Sequence, residues 1–460
     1  MDIFEDLRDL ATRLGREPFI SLFGFGVSSR ALYSELVRCG FTRITVRSDA
    51  PSVGALAHDA SQGVASDIPR GVPCYFGVDA RRDIFEDAVL FSPSVRREGE
   101  ELESARRRGC LFSSDCELFF SRERGRVFAI SGSDGKSTTA YIASALLSTR
   151  YGRVVPSGNF GAPFCSLAES EVFCAELSSF NLEYITPPCY RGVITNITEN
   201  HLDWHGDMES YLAAKSKLLR GARECAVNLD CPYYSELVGS APIAVAFSAR
   251  LPLSEMQGAG APVNYSLGGG YILRNGEPLL SCEGFLQRGR HFTKNLLCAL
   301  ALTDGHYDAG TLGDTVARLG TLPHRCEKIV SQSGRIFYDS SIDTTPSRTV
   351  ATLGSLGERV GLILGGRGKG LSPEPLIPAI NEHCSAVALY GDVAEELFEA
   401  LYGRIGGIPL IKAQRLLDAV DGIISLCEDA ILLSPAATSY GEFAGYGERG
   451  EKFTDYVKKI

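Results

Sequence analysis

Short runs of consecutive apolar residues recur along the chain, separated by longer stretches whose apolar positions return at helical spacing. Runs at 19–24, 44–46, 127–130, 172–176, 192–197, 360–364, 386–390 and 430–433 read as buried strands. Parallel strands covered on both faces lose the in–out alternation, so continuous apolar runs suit them. Stretches at 31–37, 139–147 and 211–219 read as helices. Strands alternating with helices predict an α/β fold with parallel sheets. No apolar run approaches the length needed to cross a bilayer.

One junction carries more information than the rest. The run at 127–130 leads into Gly132-Ser133-Asp134-Gly135-Lys136-Ser137-Thr138, and a helical pattern follows at once. A glycine-rich turn between strand and helix presents backbone N–H groups at a helix N-terminus, where a polyphosphate can sit. Lys136 would reach the terminal phosphates and the Ser137 hydroxyl would ligate Mg²⁺. The loop is shorter than the general pattern, because Ile130 stands where an earlier glycine is usual.

A second glycine turn, Gly24-Phe25-Gly26-Val27-Ser28-Ser29, follows the run at 19–24 and opens a helix. It belongs to a β-α-β unit ending at Ser48 and Asp49. A dinucleotide fingerprint would need a third glycine where Ser29 stands, so a nucleotide diphosphate at that helix N-terminus is the better reading. Glu176 closes one strand and His201 follows the next, within Asn200-His201-Leu202-Asp203, where α/β enzymes place their sites. Taken alone, His201 reads equally as a hydrogen-bonded histidine beside a turn, and Lys215 as a solvated helix lysine.

Composition narrows the class. A length of 460 residues suggests about three domains. Short linkers divide a Rossmann-like domain (1–112), a central P-loop ATP-binding α/β domain (113–321) and a C-terminal doubly wound, Rossmann-like domain (322–460). A net charge of −10 and a pI near 5.4 argue against a nucleic-acid partner. The basic run at 106–108 reads as a solvated helix face. Acidic residues (Asp2, Glu5, Asp6) and no apolar signal core mark the N-terminus. The 14 scattered cysteines contain no C-x-x-C pair and read as small buried hydrophobes of a reducing, cytoplasmic compartment, with no membrane partner expected.

Several segments in order resemble the Mur ligases: G-S-D-G-K-S-T at 132–138, N-I-T-E-N-H-L-D-W-H-G at 196–206, Y-L-A-A-K at 211–215, L-P-H-R at 322–325, G-G-R-G-K-G at 365–370 and L-L-S-P-A-A-T-S at 432–439. The resemblance runs from about residue 20 to the C-terminus, weaker at 50–90 and 235–285. It implies a cytoplasmic ATP-dependent ligase that adds D-glutamate to UDP-N-acetylmuramoyl-L-alanine through an acyl phosphate, in peptidoglycan precursor synthesis. A monomer is the family expectation.

The resemblance also implies roles for particular residues. Gly132, Ser133, Asp134, Gly135, Lys136, Ser137, Thr138, Asn295, Arg325 and Asp339 would hold ATP. Two Mg²⁺ ions would be held by Ser137, Glu176, His201 and Lys215, the last as a CO₂-derived carbamate that turns a cation into an oxygen ligand. Gly26, Val27, Ser28, Ser48 and Asp49 would meet the UDP group. Asn159 and Ser178 would contact the muramoyl substrate, and Lys369, Ser439 and Tyr446 would line the amino-acid pocket. Lys136, Asn159, Glu176, His201 and Lys215 would form the catalytic group.

The chain departs from the family at Ser341, where many members carry a lysine beside the amino acid, at Phe292 (often Asn) and at Asn181 (often Gln). Ser341 leaves D- against L-glutamate open, so a related ligase taking L-glutamate or another amino acid is the alternative. A folylpolyglutamate-synthase-like ligase is a further one, although the N-terminal β-α-β segment speaks against it.

Overall fold

The strands gather into three sheets. The computed structural model describes residues 4–49, 71–122, 125–239, 241–283, 289–320, 322–368, 370–443 and 445–460. These residues fall into two compact units, one reaching Asp49 and resuming at Gly71 through Leu319, the other from Gly320 to Ile460.

The first unit contains two sheets. Strands β1 (Ile20–Phe23), β2 (Ile44–Ser48), β3 (Cys74–Phe76), β4 (Ala88–Phe91) and β5 (Leu111–Ser113) form an all-parallel sheet in the order β3-β2-β1-β4-β5. Strand order reverses between β1 and β4, which opens a crevice at their carboxyl ends. The second sheet comprises β6 (Arg126–Ser131), β7 (Pro156–Gly158), β8 (Val172–Glu176), β9 (Cys189–Ile194), β10 (Ala222–Asn228), β11 (Ile243–Phe247), β12 (Val263–Gly268), β13 (Tyr271–Arg274) and β14 (Glu277–Ser281). Its order is β14-β13-β12-β11-β10-β9-β6-β8-β7, parallel except for the β12-β13-β14 meander at one edge. The phosphate-loop strand β6 is therefore an interior strand, flanked by β9 and β8.

Helices Lys136–Tyr151 and Gly289–Leu302 pack together against this sheet. The first buries Ala140, Ala143, Leu146 and Leu147, a helical stripe whose alanines allow close approach and whose leucines each contribute about 1.5–3 kcal/mol by burial. Phe128, Ile130 and Leu296 complete the same core.

The second unit holds β15 (Glu327–Val330), β16 (Ile336–Asp339), β17 (Val360–Gly365), β18 (Cys384–Tyr390), β19 (Leu410–Ala413) and β20 (Ala430–Leu433). The order is β15-β16-β20-β17-β18-β19, antiparallel only at β15-β16. Apolar clusters around Leu362 and Leu389 and around Ile363 and Leu433 cover its two faces, which explains the unbroken apolar runs. The 14 cysteines are all unpaired, and most are buried.

Candidate active site

Steric necessity builds the phosphate loop. Gly132 has φ 142°, and a Cβ there would lie 1.9 Å from Thr195 Oγ1. Gly135 has φ 77°, and a Cβ there would lie 2.3 Å from Asn295 Oδ1. Only glycine fits either place. The loop is thus wedged between the exit of β9 and the helix carrying Asn295. Hydrogen bonds then lock it: Ser133 N donates to Asn196 O (2.9 Å), Asp134 N to Asn196 Oδ1 (2.9 Å) and Thr195 Oγ1 to Asp134 O (2.6 Å). Ser133 Oγ accepts from Thr198 N at 2.9 Å and lies 2.9 Å from the Tyr211 hydroxyl.

The helix Lys136–Tyr151 starts directly behind this loop, with its N-terminal N–H groups and positive dipole end at the turn. Ser137 is buried in its first turn, and Thr138 follows. Lys136 Nζ bends back to the carbonyls of Gly132 (3.0 Å) and Ser133 (2.8 Å).

Glu176 ends β8, which pairs with β6 so that Glu176 stands opposite Ile130. Its side chain is buried; Oε1 accepts from Asn159 Nδ2 at 2.8 Å, and Asn159 N donates to Glu176 O at 2.9 Å. Oε2 is buried and has no hydrogen-bond partner among the described residues. Leaving a buried carboxylate oxygen so is costly, and a hard cation resolves the cost.

His201 adopts φ 56°, unusual for a residue with a Cβ, and caps the short helix Leu202–His205. Its ring lies 4.8 Å edge-on from that of Phe180, which follows Glu176 by four positions.

Lys215 overturns its reading as a solvated helix residue. Helix Met208–Gly221 buries it completely, and Nζ donates to Gly132 O (2.7 Å) and Ser131 Oγ (3.2 Å), 4.9 Å from the Tyr211 ring centroid. Burial pushes its ammonium well below the usual lysine range and Lys136 pushes the same way, against Glu176 and Asp134. That shift favours the neutral amine.

Ser178 caps helix Ser179–Tyr184: Oγ accepts from Asn181 N (3.1 Å), while Asn181 Oδ1 accepts from Ser178 N (3.0 Å). The departure at Asn181 thus forms a capping box. At the first-sheet crevice, Gly24 abuts Ser92, Gly26 caps helix Val27–Arg38, and Ser28 lies in its first turn. Ser48 is buried at the end of β2, and Asp49 holds Arg81 through both oxygens (2.7 and 2.6 Å). The Val27 side chain lies outside the described residues.

In the second unit, Asp339 is fully buried and accepts from Ser341 N (2.9 Å) and Thr454 Oγ1 (3.2 Å), with His324 Nδ1 at 2.7 Å. That carboxylate raises the His324 pKa. Arg325 sits between two positive-φ residues, His324 and Cys326. Ser439 is buried after β20, and the Tyr446 carbonyl accepts from Ser341 Oγ (2.8 Å). Lys369 lies outside the described residues.

The middle-domain pattern of the Mur ligases matches residues 130–303, the span from β6 through the helix carrying Asn295. A UDP-N-acetylmuramoylalanine–D-glutamate ligase of Clostridium perfringens is 30% identical over 458 residues, covering 96% of either chain. The chain belongs to the Mur ligase family. The Nitrosococcus oceani ligase of the same name is 32% identical over 395 residues, covering 84% of this chain and 85% of its own. The solved UDP-N-acetylmuramate–alanine ligase MurC of Thermotoga maritima superposes with a TM-score of 0.62 at 18% identity, covering 95% of this chain and 99% of its own, which confirms the multidomain α/β fold. This Mur ligase is an ATP-dependent ligase. Its phosphate loop, Glu176 and Lys215 are brought together by β6, β8 and the helix Met208–Gly221. Sequence reading did not single out Asn196 as the residue that locks the loop, although it stands in a quoted motif. Arg449, buried beneath Ser341, left no signal, because a charged residue in a helical stretch reads as solvated.

Proposed function

We propose that the chain joins D-glutamate to UDP-N-acetylmuramoyl-L-alanine with cleavage of ATP, in cytoplasmic peptidoglycan precursor synthesis, as a monomer of three domains divided near 112 and 321. The observation that carries the chemistry is the buried Lys215 amine bonded to the Gly132 carbonyl of the phosphate loop. The choice of substrates rests on the relatives' names over nearly the full chain.

A carboxylate does not condense with an amine in water, so it is first activated. A carboxylate oxygen of the alanyl group attacks the γ-phosphorus of ATP, the bond to the β-phosphate oxygen breaks, and ADP departs. The glutamate amine then attacks the acyl carbon, inorganic phosphate leaves with the C–O electron pair, and the amine proton is released. The loop amides from Gly132 to Thr138 and Lys136 cradle the phosphates, so catalysis here is largely positioning and charge neutralisation. Asn295, beside Gly135, borders the same loop.

Mg²⁺, when bound, neutralises the charge on the transferring phosphoryl group. Ser137 and Glu176 would hold one ion, the orphaned Oε2 being the vacant donor. His201 and a carbamate on Lys215 would hold a second; the amine, in its neutral form, would add to the carbon of CO₂ and lose a proton. Asn159 holds Glu176 in place and, with Ser178, would face the muramoyl substrate. In the second unit, Arg325 and Asp339 would hold the nucleotide, and Lys369, Ser439 and Tyr446 the amino acid. Gly26, Val27, Ser28, Ser48 and Asp49 would receive the UDP group at the first-sheet crevice.

The test is phosphate release with UDP-N-acetylmuramoyl-L-alanine, ATP and Mg²⁺, comparing D-glutamate, L-glutamate and no amino acid. Release with D-glutamate alone is expected. Release with L-glutamate would keep the mechanism and change the product, and none with either would sink the assignment.

A further inference from the structure

A continuous run of contacts joins the first-sheet crevice to the second-sheet site, and the mechanism above does not use it. Segment 92–97, which follows β4, begins at the crevice: Ser92 packs on Gly24, and its Oγ lies 2.7 Å from Ser29 Oγ in the adjacent helix. The segment ends in two arginines directed at the elements around His201. Arg97 holds Glu117 through both oxygens (2.9 and 2.5 Å), with its guanidinium 4.1 Å from the Tyr184 ring centroid. Arg96 Nη2 donates to Trp204 O at 2.6 Å, and its guanidinium lies 4.5 Å from the Trp204 ring.

Trp204 in turn shapes His201. Its indole N–H donates to Glu183, and its ring packs edge-on to Phe180 at 4.8 Å. Phe180 packs edge-on to His201 at 4.8 Å. Trp204 N and His205 N also donate to His201 O (3.1 and 3.0 Å), which ties the His201 carbonyl to the helix that Trp204 belongs to. A planar guanidinium that both stacks on the indole and grips the same residue's carbonyl fixes ring and backbone together, which a lysine could not do.

We propose that Arg96 and Trp204 are positioning residues that set His201 according to what occupies the crevice between β1 and β4, so that the nucleotide-sugar substrate, once bound there, aligns the second-sheet site. Arg96 keeps part of its side chain in solvent, 3.8 Å from Glu98 Oε1, and is tied to the crevice through the segment that begins at Ser92. The inference rests on the substrate reading above.

The chain contains one tryptophan and 18 tyrosines, so emission excited beyond the tyrosine absorption band reports Trp204 alone. UDP-N-acetylmuramoyl-L-alanine should be titrated into the intact protein without ATP, with emission and calorimetry followed together. A saturating emission change at the calorimetric affinity is expected. In Arg96→Ala, calorimetric binding should persist while the emission change is lost, and kcat should fall about tenfold with the KM for ATP unchanged. Arg96→Lys, which keeps the charge and the fold but loses the planar stack, should fall between the two. Binding without an emission change in the parent, or a full response and full kcat in both variants, would overturn the proposal. Absence of calorimetric binding would instead overturn the substrate reading, and this inference with it.

Discussion

Asn159 donates its side-chain amide to one oxygen of Glu176 at 2.8 Å, while the other oxygen of that carboxylate is buried without a hydrogen-bond partner among the described residues. Asn159 is held in turn by the Glu176 carbonyl, so the pair is rigid before any ligand arrives. A carboxylate oriented by one donor and left open on one oxygen is arranged to receive a cation.

Glu176→Gln should therefore lower kcat by roughly 10²–10³-fold, the scale of losing one well-placed charge-stabilising group, and should raise the Mg²⁺ concentration needed for half-maximal activity. An unchanged Mg²⁺ requirement would remove the metal role from Glu176.

Lys215→Ala should be nearly inactive and regain part of its turnover with added acetate or formate, which can stand in for a carbamate oxygen pair. Lys215→Arg should not be rescued, since a guanidinium stays charged and does not add to CO₂. The sign of the pH effect follows from the depressed pKa. The unfolded chain binds a proton that the folded one does not, so stability should rise with pH between the folded value and the ordinary lysine range. Lys215→Met should flatten that slope in chemical denaturation measured without bicarbonate.

His306 lies between the hydroxyls of Tyr151 (2.7 Å) and Tyr190 (3.2 Å). Burial, joined by the nearby Arg191, Arg126 and Arg150, lowers its pKa from 6.5 to about 4. Its folded value lies below its unfolded one, so its contribution is present above pH 6.5 and is lost as pH falls toward 4. Denaturation midpoints of His306→Gln should vary less with pH across that window than those of the parent.

Arg449 is fully buried; Nε donates to Ser341 Oγ (2.9 Å), Nη2 to Ser341 O (2.8 Å) and Nη1 to Ala437 O (3.1 Å). It ties the loops after β16 and β20 together. Arg449→Met should destabilise the second unit by about 3 kcal/mol or more, since each orphaned buried acceptor costs about 1–3 kcal/mol. Arg449→Lys should recover little of this, because a point-like ammonium cannot span the same acceptors. Urea denaturation followed by circular dichroism reads both effects.

Much of the architecture was legible along the chain. Strands β8 and β20 fall where the apolar runs at 172–176 and 430–433 lie, and the helix behind the phosphate loop only extends further, to Lys136–Tyr151. The run at 192–197 fared less well: β9 is Cys189–Ile194, because Thr195 and Asn196 leave the sheet to lock the phosphate loop.

Local patterns were recoverable because neighbouring residues decide them: a glycine turn, an apolar period and a Lys-Ser-Thr at a helix start need only the next few positions. The state of each group in the site was decided elsewhere. Lys215 reaches the Gly132 carbonyl from 83 positions away, and only the packing of helix Met208–Gly221 against β6 removes its water and pushes its pKa down. Glu176 is paired on one side and open on the other because β7 brings Asn159 beside it. Arg449 looks like a surface residue in the sequence and is a buried clamp in the fold. Residue types along the chain determine which chemistry is available, whereas burial and partner choice, which set a group's charge, exist only once distant segments exclude solvent together.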